Sequence, residues 1–187
     1  FLLLPLWYLL VTNEQFLPKN LTFLGVKEAG EVPLFLQILI ADIGIEFLRI
    51  AAIHTPTPLS TAMGLISGVI IGQIAIDVGL FSSEVVLYSA IAAIFTFAIP
   101  NYELSISVKV FRIILLSLTA LFDESGFFIG LLLIFYYLTS LKPMNVPYLW
   151  PLVPFFPKAM LRVFIRYPMS YDAKRPFITR SKNRHRS

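Results

Sequence analysis

Three groups of polar residues recur at helical spacing inside otherwise apolar stretches. Asp42, Glu46 and Arg49 stand at i, i+4 and i+7, so at about 100° per residue they share one narrow stripe of a helix. Ser105, Lys109, Arg112, Thr119 and Asp123 form a second stripe, and Gln73 with Asp77 a short third one. Ionisable side chains at membrane depth are costly and therefore the first suspects for function. One-sided polar stripes on neighbouring helices make either a hydrated ion path or a set of buried pairs that hold helices together. Arg112 poses the choice most sharply. It lies nine residues past Glu103 and eleven before Asp123, and a guanidinium that stays protonated must be hydrated or paired with an acid. Asp42, Glu46 and Asp77 are its candidate partners.

Other chemistry finds no footing. The chain has no cysteine, which removes thiolate metal sites, disulfides and a cysteine nucleophile. His54 and His185 are far apart and give no metal cluster. There is no glycine-rich phosphate loop, no His-Glu-x-x-His and no Gly-x-Ser-x-Gly. Asp42 with Glu46 could serve as an acid–base pair, but nothing else assembles around them. The expectation is a protein without catalytic residues, metal or cofactor.

The elements that carry these stripes follow from composition. Of 187 residues, 57% are hydrophobic and 14% charged, against roughly 25% charged in a soluble domain. So little polar surface cannot enclose that much apolar bulk. The predicted class is all-α, a polytopic membrane bundle of five to six helices, each crossing with about 20 residues. Residues 1–11 read as the end of a first span, and Phe1 opens inside an apolar run without an initiator Met, which predicts a piece of a longer protein. A polar loop covers 12–31. Spans follow at 32–53, from Ser60 or Thr61 to about Leu80, from a cap at Ser82 to Pro100, from Asn101 to Phe122, and at 127–141. Asp123 to Gly126 form the last turn. The 32–53 segment is the weakest span because of its charges. Trp7, Tyr8, Tyr136, Tyr137, Tyr148 and Trp150 fall near predicted interfaces, as aromatic belts do.

Charge sets the orientation. Residues 142–187 carry ten Lys or Arg and one acid, giving +9, while residues 1–141 carry five bases and ten acids, giving −5. A basic tail after the last span marks a cytoplasmic end, which places Ser82, Ser83 and Asp123 outside. The flanking spans account for the tail without nucleic acid. The two predicted regions are thus 1–141, transmembrane, and 142–187, a cytoplasmic tail. The tail opens with Pro143, Pro147, Pro151, Pro154 and Pro157, which forbid a regular helix. Lys158, Arg162 and Arg166 then recur every four residues, predicting a short amphipathic helix at 158–167 against lipid headgroups or the bundle. Residues 168–187 are predicted to be disordered.

The third span also repeats small residues, Gly64, Gly68 and Gly72, a spacing that lets another backbone approach closely. Ser89, Ala92, Ala93 and Thr96 do the same on the fourth. The partner helix could belong to this chain or to another copy.

Several separated stretches carry a resemblance: IHTPTPLSTAMG at 53–64, IGQIAIDVGL at 71–80, FAIPNYELSIS at 97–107, VPYLWPLVPF at 146–155, and IRYP at 165–168 followed by KRP at 174–176. In order and spacing they resemble the membrane region of the A subunits of bacterial spore germinant receptors, the GerA family. DVGLFSSEVVLY at 77–88 is most similar to its SpoVAF branch. The resemblance implies residence in the spore inner membrane, a soluble region ahead of the first span, and partnership with other germination subunits. It also implies a role in triggering germination, with oligomerisation into an ion-conducting assembly. A secondary transporter or a non-conducting scaffold are the other readings; no internal repeat of the kind transporters show is evident.

Overall fold

The computed structural model describes residues 1–13, 15, 24–27, 30–54, 58–143, 146–153, 155–157 and 160–161, with side chains outside that description at 52–54, 58–65 and 67. Among the described residues the chain is all-helical: α1 (Leu3–Thr12), α2 (Leu34–His54), α3 (Pro58–Asp77), α4 (Ser83–Phe97) and α5 (Tyr102–Ser140). By length and apolar composition, α5 is the described helix able to cross a membrane. The chain forms two compact units, Phe1–Leu131 and Leu132–Ser187.

Local chemistry explains the helix ends. Pro58 opens α3, ahead of the expected Ser60 or Thr61, because a first-turn proline loses no hydrogen bond and has a helical φ already set. Asp77 ends it. Gly79, at φ +74, turns the chain left-handed, Gly79 N–H reaches Ile76 O at 2.9 Å, and Leu80 N–H reaches Ala75 O at 2.9 Å. This pair of bonds satisfies the last carbonyls and calls for glycine at the turn. Asn101 starts α5, its Oδ1 accepting from Leu104 N–H at 3.1 Å.

Ser82 occupies the cap position of α4 but its hydroxyl does not cap. It donates to Gln37 Oε1 at 2.9 Å, as does the Ser82 backbone N–H at 2.9 Å. Gln37 Nε2 in turn donates to Val32 O at 2.7 Å, and Glu31 N–H bonds Gly79 O at 3.1 Å. The start of α2 is thus clamped to the α3–α4 turn by a buried amide.

In the first unit α4 is central, packing on α2 and α1, while α2 also meets α3. Leu4, Trp7, Ile38, Val85, Ala92 and Leu116 make the core. Trp7, expected in an interfacial belt, is buried there. Its ring lies 4.6 Å from that of Tyr88, and its indole N–H donates to Leu24 O at 2.8 Å. An amphipathic ring whose one polar atom finds an acceptor can be buried.

The expected turn near Asp123 is a sharp break inside α5, with Asp123 at φ 50, ψ −129. Beyond it the chain doubles back. A Cβ on Gly126 would collide with the Leu118 carbonyl, and one on Gly130 would sit 2.6 Å from Leu115 Cδ1. Residues 118 with 126 and 115 with 130 pair in antiparallel order, so Gly126 and Gly130 are where a helical hairpin closes. In the second unit, turns replace helix after Ser140: Tyr148 N–H bonds Leu141 O at 2.9 Å, and Phe156 N–H bonds Pro151 O at 3.0 Å. The expected helix at 158–167 and the basic residues after it lie outside the described residues, apart from Met160 and Leu161.

Candidate functional site

Five of the seven polar candidates converge on one cluster between α2 and the first arm of α5. Arg112 Nη2 donates to Asp42 Oδ1, with the two side chains 2% and 5% exposed. Arg112 Nη1 lies 3.4 Å from Thr96 Oγ1 on α4. One turn along, Lys109 Nζ donates to Glu46 Oε2 at 2.7 Å and to the Asp42 backbone carbonyl at 3.0 Å, and it stands 3.8 Å from Asp42 Oδ1. Another turn along, Arg49 Nη1 donates to Ser105 Oγ at 2.6 Å, and Ser105 Oγ donates to Thr96 O at 3.2 Å. The Arg49 guanidinium also lies over the Tyr102 ring, 4.6 Å from its centroid, with Phe97 at 5.9 Å.

The helical stripes make this geometry. Residues 42, 46 and 49 descend α2 while 112, 109 and 105 ascend toward the start of α5, so each level of one helix faces one level of the other. The close helix-to-helix packing is elsewhere, α2 on α4. Long Arg and Lys side chains therefore do the bridging. Pairing is what makes such burial tolerable, since removing one partner would leave an uncompensated charge.

The cluster carries two acids, Asp42 and Glu46, against three bases, Arg49, Lys109 and Arg112. Arg112 has Asp42 and Lys109 has Glu46. Arg49 shares Glu46 as a looser third member, Nη2 to Oε1 at 3.3 Å. Its Nε and Nη2, Glu46 Oε1 and Arg112 Nε are buried without a hydrogen bond among the described residues.

The third stripe does not join. Gln73 Nε2 donates to Asp77 Oδ1 at 3.0 Å, and both residues are exposed on α3. Asp77, one of three acids considered for Arg112, is thereby corrected: it belongs to its own helix, and Asp42 is the partner. Thr119 bonds back to Leu115 O at 2.8 Å, and Asp123 marks the break in α5. The small-residue face of α3 is not covered by the described residues of this chain. A Cβ at Gly72 would meet nothing within 4 Å, and one at Gly68 only Leu48 Cδ1 at 3.7 Å; Gly64 lies among residues whose surroundings are outside the description. No group of three or more metal-ligating side chains occurs among the described residues.

The sequence profile described as Bacillus/Clostridium GerA spore germination protein matches residues 1–178. The chain belongs to the GerA family. It is 51% identical over 185 residues to stage V sporulation protein AF of Bacillus subtilis (strain 168), covering 99% of this chain and 38% of that one. It is 29% identical to spore germination protein GerLA of Bacillus cereus, covering 97% and 38%. To spore germination protein KA of Bacillus subtilis (strain 168) it is 29% identical, covering 94% and 33%. The SpoVAF branch expected from residues 77–88 agrees with the first of these. The chain spans under two-fifths of the length of these GerA-family relatives. No solved structure matches it.

Several residues of this GerA-family chain have roles that spacing does not announce. Thr96, a packing residue by its place among Ser89, Ala92 and Ala93, also faces Arg112. Tyr102 carries Arg49 on its ring, and no motif marks it. Gly126 and Gly130 have the same small-xxx-small spacing as the α3 glycines, so their signal is present in the sequence.

Proposed function

We propose that the chain is the membrane-embedded region of a germination protein. Its helices form five to six spans, and it assembles with copies of itself and with other germination subunits in the spore inner membrane to conduct ions. The observation that carries this reading is the cluster of Asp42, Glu46, Arg49, Lys109 and Arg112, five ionisable groups enclosed at the level of apolar helices, with one positive charge in excess. Such groups mark ion paths when they lie within a bundle. Two further features support assembly. The relatives include proteins named for spore germination, and α3 presents Ile66, Val69, Ile70, Ile71 and Ile74 outward around the polar Gln73–Asp77 pair.

The basic tail, residues 142–187, supports a cytoplasmic end. One observation favours a non-conducting scaffold instead: Arg112 and Lys109 both have acids, as they would if the cluster served only to join helices. The deciding measurement is ion flux through the full-length protein, purified and reconstituted in vesicles. Flux altered by Lys109→Gln supports conduction through the cluster. Saturable substrate uptake would indicate a transporter, and silence in every oligomeric preparation a scaffold.

A further inference from the structure

Just past the end of α5, in the second unit, apolar side chains point outward from a stretch that cannot span a membrane. Tyr148, Leu152, Val153, Phe155 and Phe156 are all exposed, Phe155 by 65%. Pro147, Pro151, Pro154 and Pro157 stand among them, and that density forbids a spanning helix. A run of exposed rings and branched chains on a connecting segment marks a contact surface.

The backbone sets its depth. Tyr136 and Tyr137, near the end of α5 at Ser140, are exposed, and exposed aromatic residues at a helix end mark the headgroup level. Tyr148 N–H bonds Leu141 O at 2.9 Å, so the chain returns to the helix end instead of leaving it. One-turn bonds continue from there: Trp150 N–H to Pro147 O at 3.0 Å, Leu152 and Val153 N–H to Leu149 O at 2.7 and 3.1 Å, and Phe156 N–H to Pro151 O at 3.0 Å. With Val146 N–H on Pro143 O, six of the eight N–H groups in residues 146–157 are satisfied nearby, and the four prolines have none to satisfy. Irregular backbone with its donors satisfied can lie where water is scarce.

Charge selects the occupant. Lys142 is exposed at the start of the segment. No acid occurs from Lys142 to Tyr171, and the sequence adds Lys158, Arg162 and Arg166 after the last proline. Rings flanked by bases match the boundary between acyl chains and anionic headgroups.

We infer that residues 146–157 form an interfacial anchor, with Tyr148, Leu152, Val153, Phe155 and Phe156 seated in the headgroup–acyl boundary of an anionic leaflet. The inference rests on the membrane reading proposed above and adds to it a surface and a lipid class.

The test places one nitroxide at a time, on a single cysteine, in the full-length protein in bilayer nanodiscs containing phosphatidylglycerol. Paramagnetic resonance then compares collisions with oxygen, which concentrates among acyl chains, and with an uncharged nickel chelate, which stays in water. A label at Phe155→Cys should favour oxygen, and one at Ser181→Cys the chelate. Leu132→Cys is the control, because Leu132 is exposed on α5 eight residues from Ser140, or about 12 Å along the axis, and should favour oxygen more strongly. Replacing phosphatidylglycerol by phosphatidylcholine should raise chelate access at residue 155. With the label at Leu152→Cys, adding Phe155→Ser and Phe156→Ser should shift the balance from lipid toward water about tenfold per ring, at an unchanged melting temperature. Chelate access at residue 155 equal to that at residue 181 would overturn the anchor. Shielding from both reagents would also overturn it, by showing that protein covers the surface. A reading at residue 155 indifferent to phosphatidylglycerol would overturn the anionic assignment. If oxygen reaches residue 132 but not residue 155, the anchor falls alone; if it does not reach residue 132, the membrane reading falls with it.

Discussion

Arg112 on α5 and Asp42 on α2, seventy residues apart in sequence, meet as an ion pair almost wholly closed to solvent. Arg112→Leu would take away the hydrogen-bonded base of Asp42 and leave its carboxylate only Lys109, 3.8 Å away. The expected cost is about 3–5 kcal/mol, the usual penalty for breaking one half of a buried pair. Adding Asp42→Asn should recover more than half of the loss, whereas Asp77→Asn should recover none. A double-mutant cycle on the full-length protein in detergent, read by denaturation, measures both. Rescue by Asp77→Asn would refute the pairing.

The glycines of α5 and α3 should behave oppositely. Gly126→Ala drives a Cβ into the Leu118 carbonyl and should cost about 1–3 kcal/mol, the range for overpacking. Gly72→Ala enters open space and should gain up to about 1 kcal/mol from helix propensity in the isolated protomer. If Gly72→Ala leaves the protomer folded but reduces the oligomer, the α3 face is an assembly surface. Comparing thermal stability with size-exclusion profiles separates the two effects.

Gln37→Leu should loosen the clamp between α2 and the α3–α4 turn. It leaves the buried Ser82 N–H and hydroxyl without an acceptor, at about 1–3 kcal/mol for the orphaned groups. Combining it with Ser82→Ala removes one of the two orphans and should recover part of the loss. Equal stability of Gln37→Leu and wild type would show that the clamp contributes nothing.

Asp123 sits at a φ and ψ that favour glycine. Backbone strain of this kind costs about 1–3 kcal/mol in a residue with a side chain, so Asp123→Gly should be neutral to stabilising by roughly 1 kcal/mol after its own entropic cost. Asp123→Val should be worse than wild type. A ranking with Val above Gly in melting temperature would contradict the turn.

Topology can be read with single cysteines, because the chain has none. Ser83→Cys is the outer reporter, since Ser83 is exposed while its neighbour Ser82 is buried. An impermeant thiol reagent should label it from outside and should label Ser181→Cys, in the basic tail, only after permeabilisation. Labelling of both from the same side would remove the proposed arrangement of spans.

Periodicity tells which residues share a helix face, and that is why Asp42, Glu46 and Arg49 group together on spacing alone. It is silent on how a face is turned toward its neighbours. For that reason Asp42 and Asp77 are equal by spacing as partners of Arg112, although one is buried against it and the other bonds Gln73 on the outside of α3. The same limit explains the glycines: spacing flags Gly68 and Gly72, but only packing shows that Gly126 and Gly130 are the ones pressed against a neighbouring helix arm. Helix ends are more legible, because Pro58, Gly79, Asn101 and Asp123 act within a few residues of themselves. Ser82 is the exception. Its role depends on Gln37, forty-five residues away, and local rules do not reach that far.

The order of the charges along α2 and α5 limits how these helices could move. Asp42, Glu46 and Arg49 face Arg112, Lys109 and Ser105. A piston-like slip of α5 by one turn in one direction would set Asp42 against Leu116, Glu46 against Ile113 and Arg49 against Lys109. In the other direction it would bring Asp42 level with Val108 and Lys109, the base it already approaches at 3.8 Å, and leave Glu46 against Ser105 or Ile106 without a base. Neither alternative keeps both acid–base pairs, and one presses two cations together. A slip by one turn gives up at least one ion pair, which favours a conformational transition that carries α2 and the first arm of α5 as one strut, with the displacement taken up by tilting or at the flanking turns.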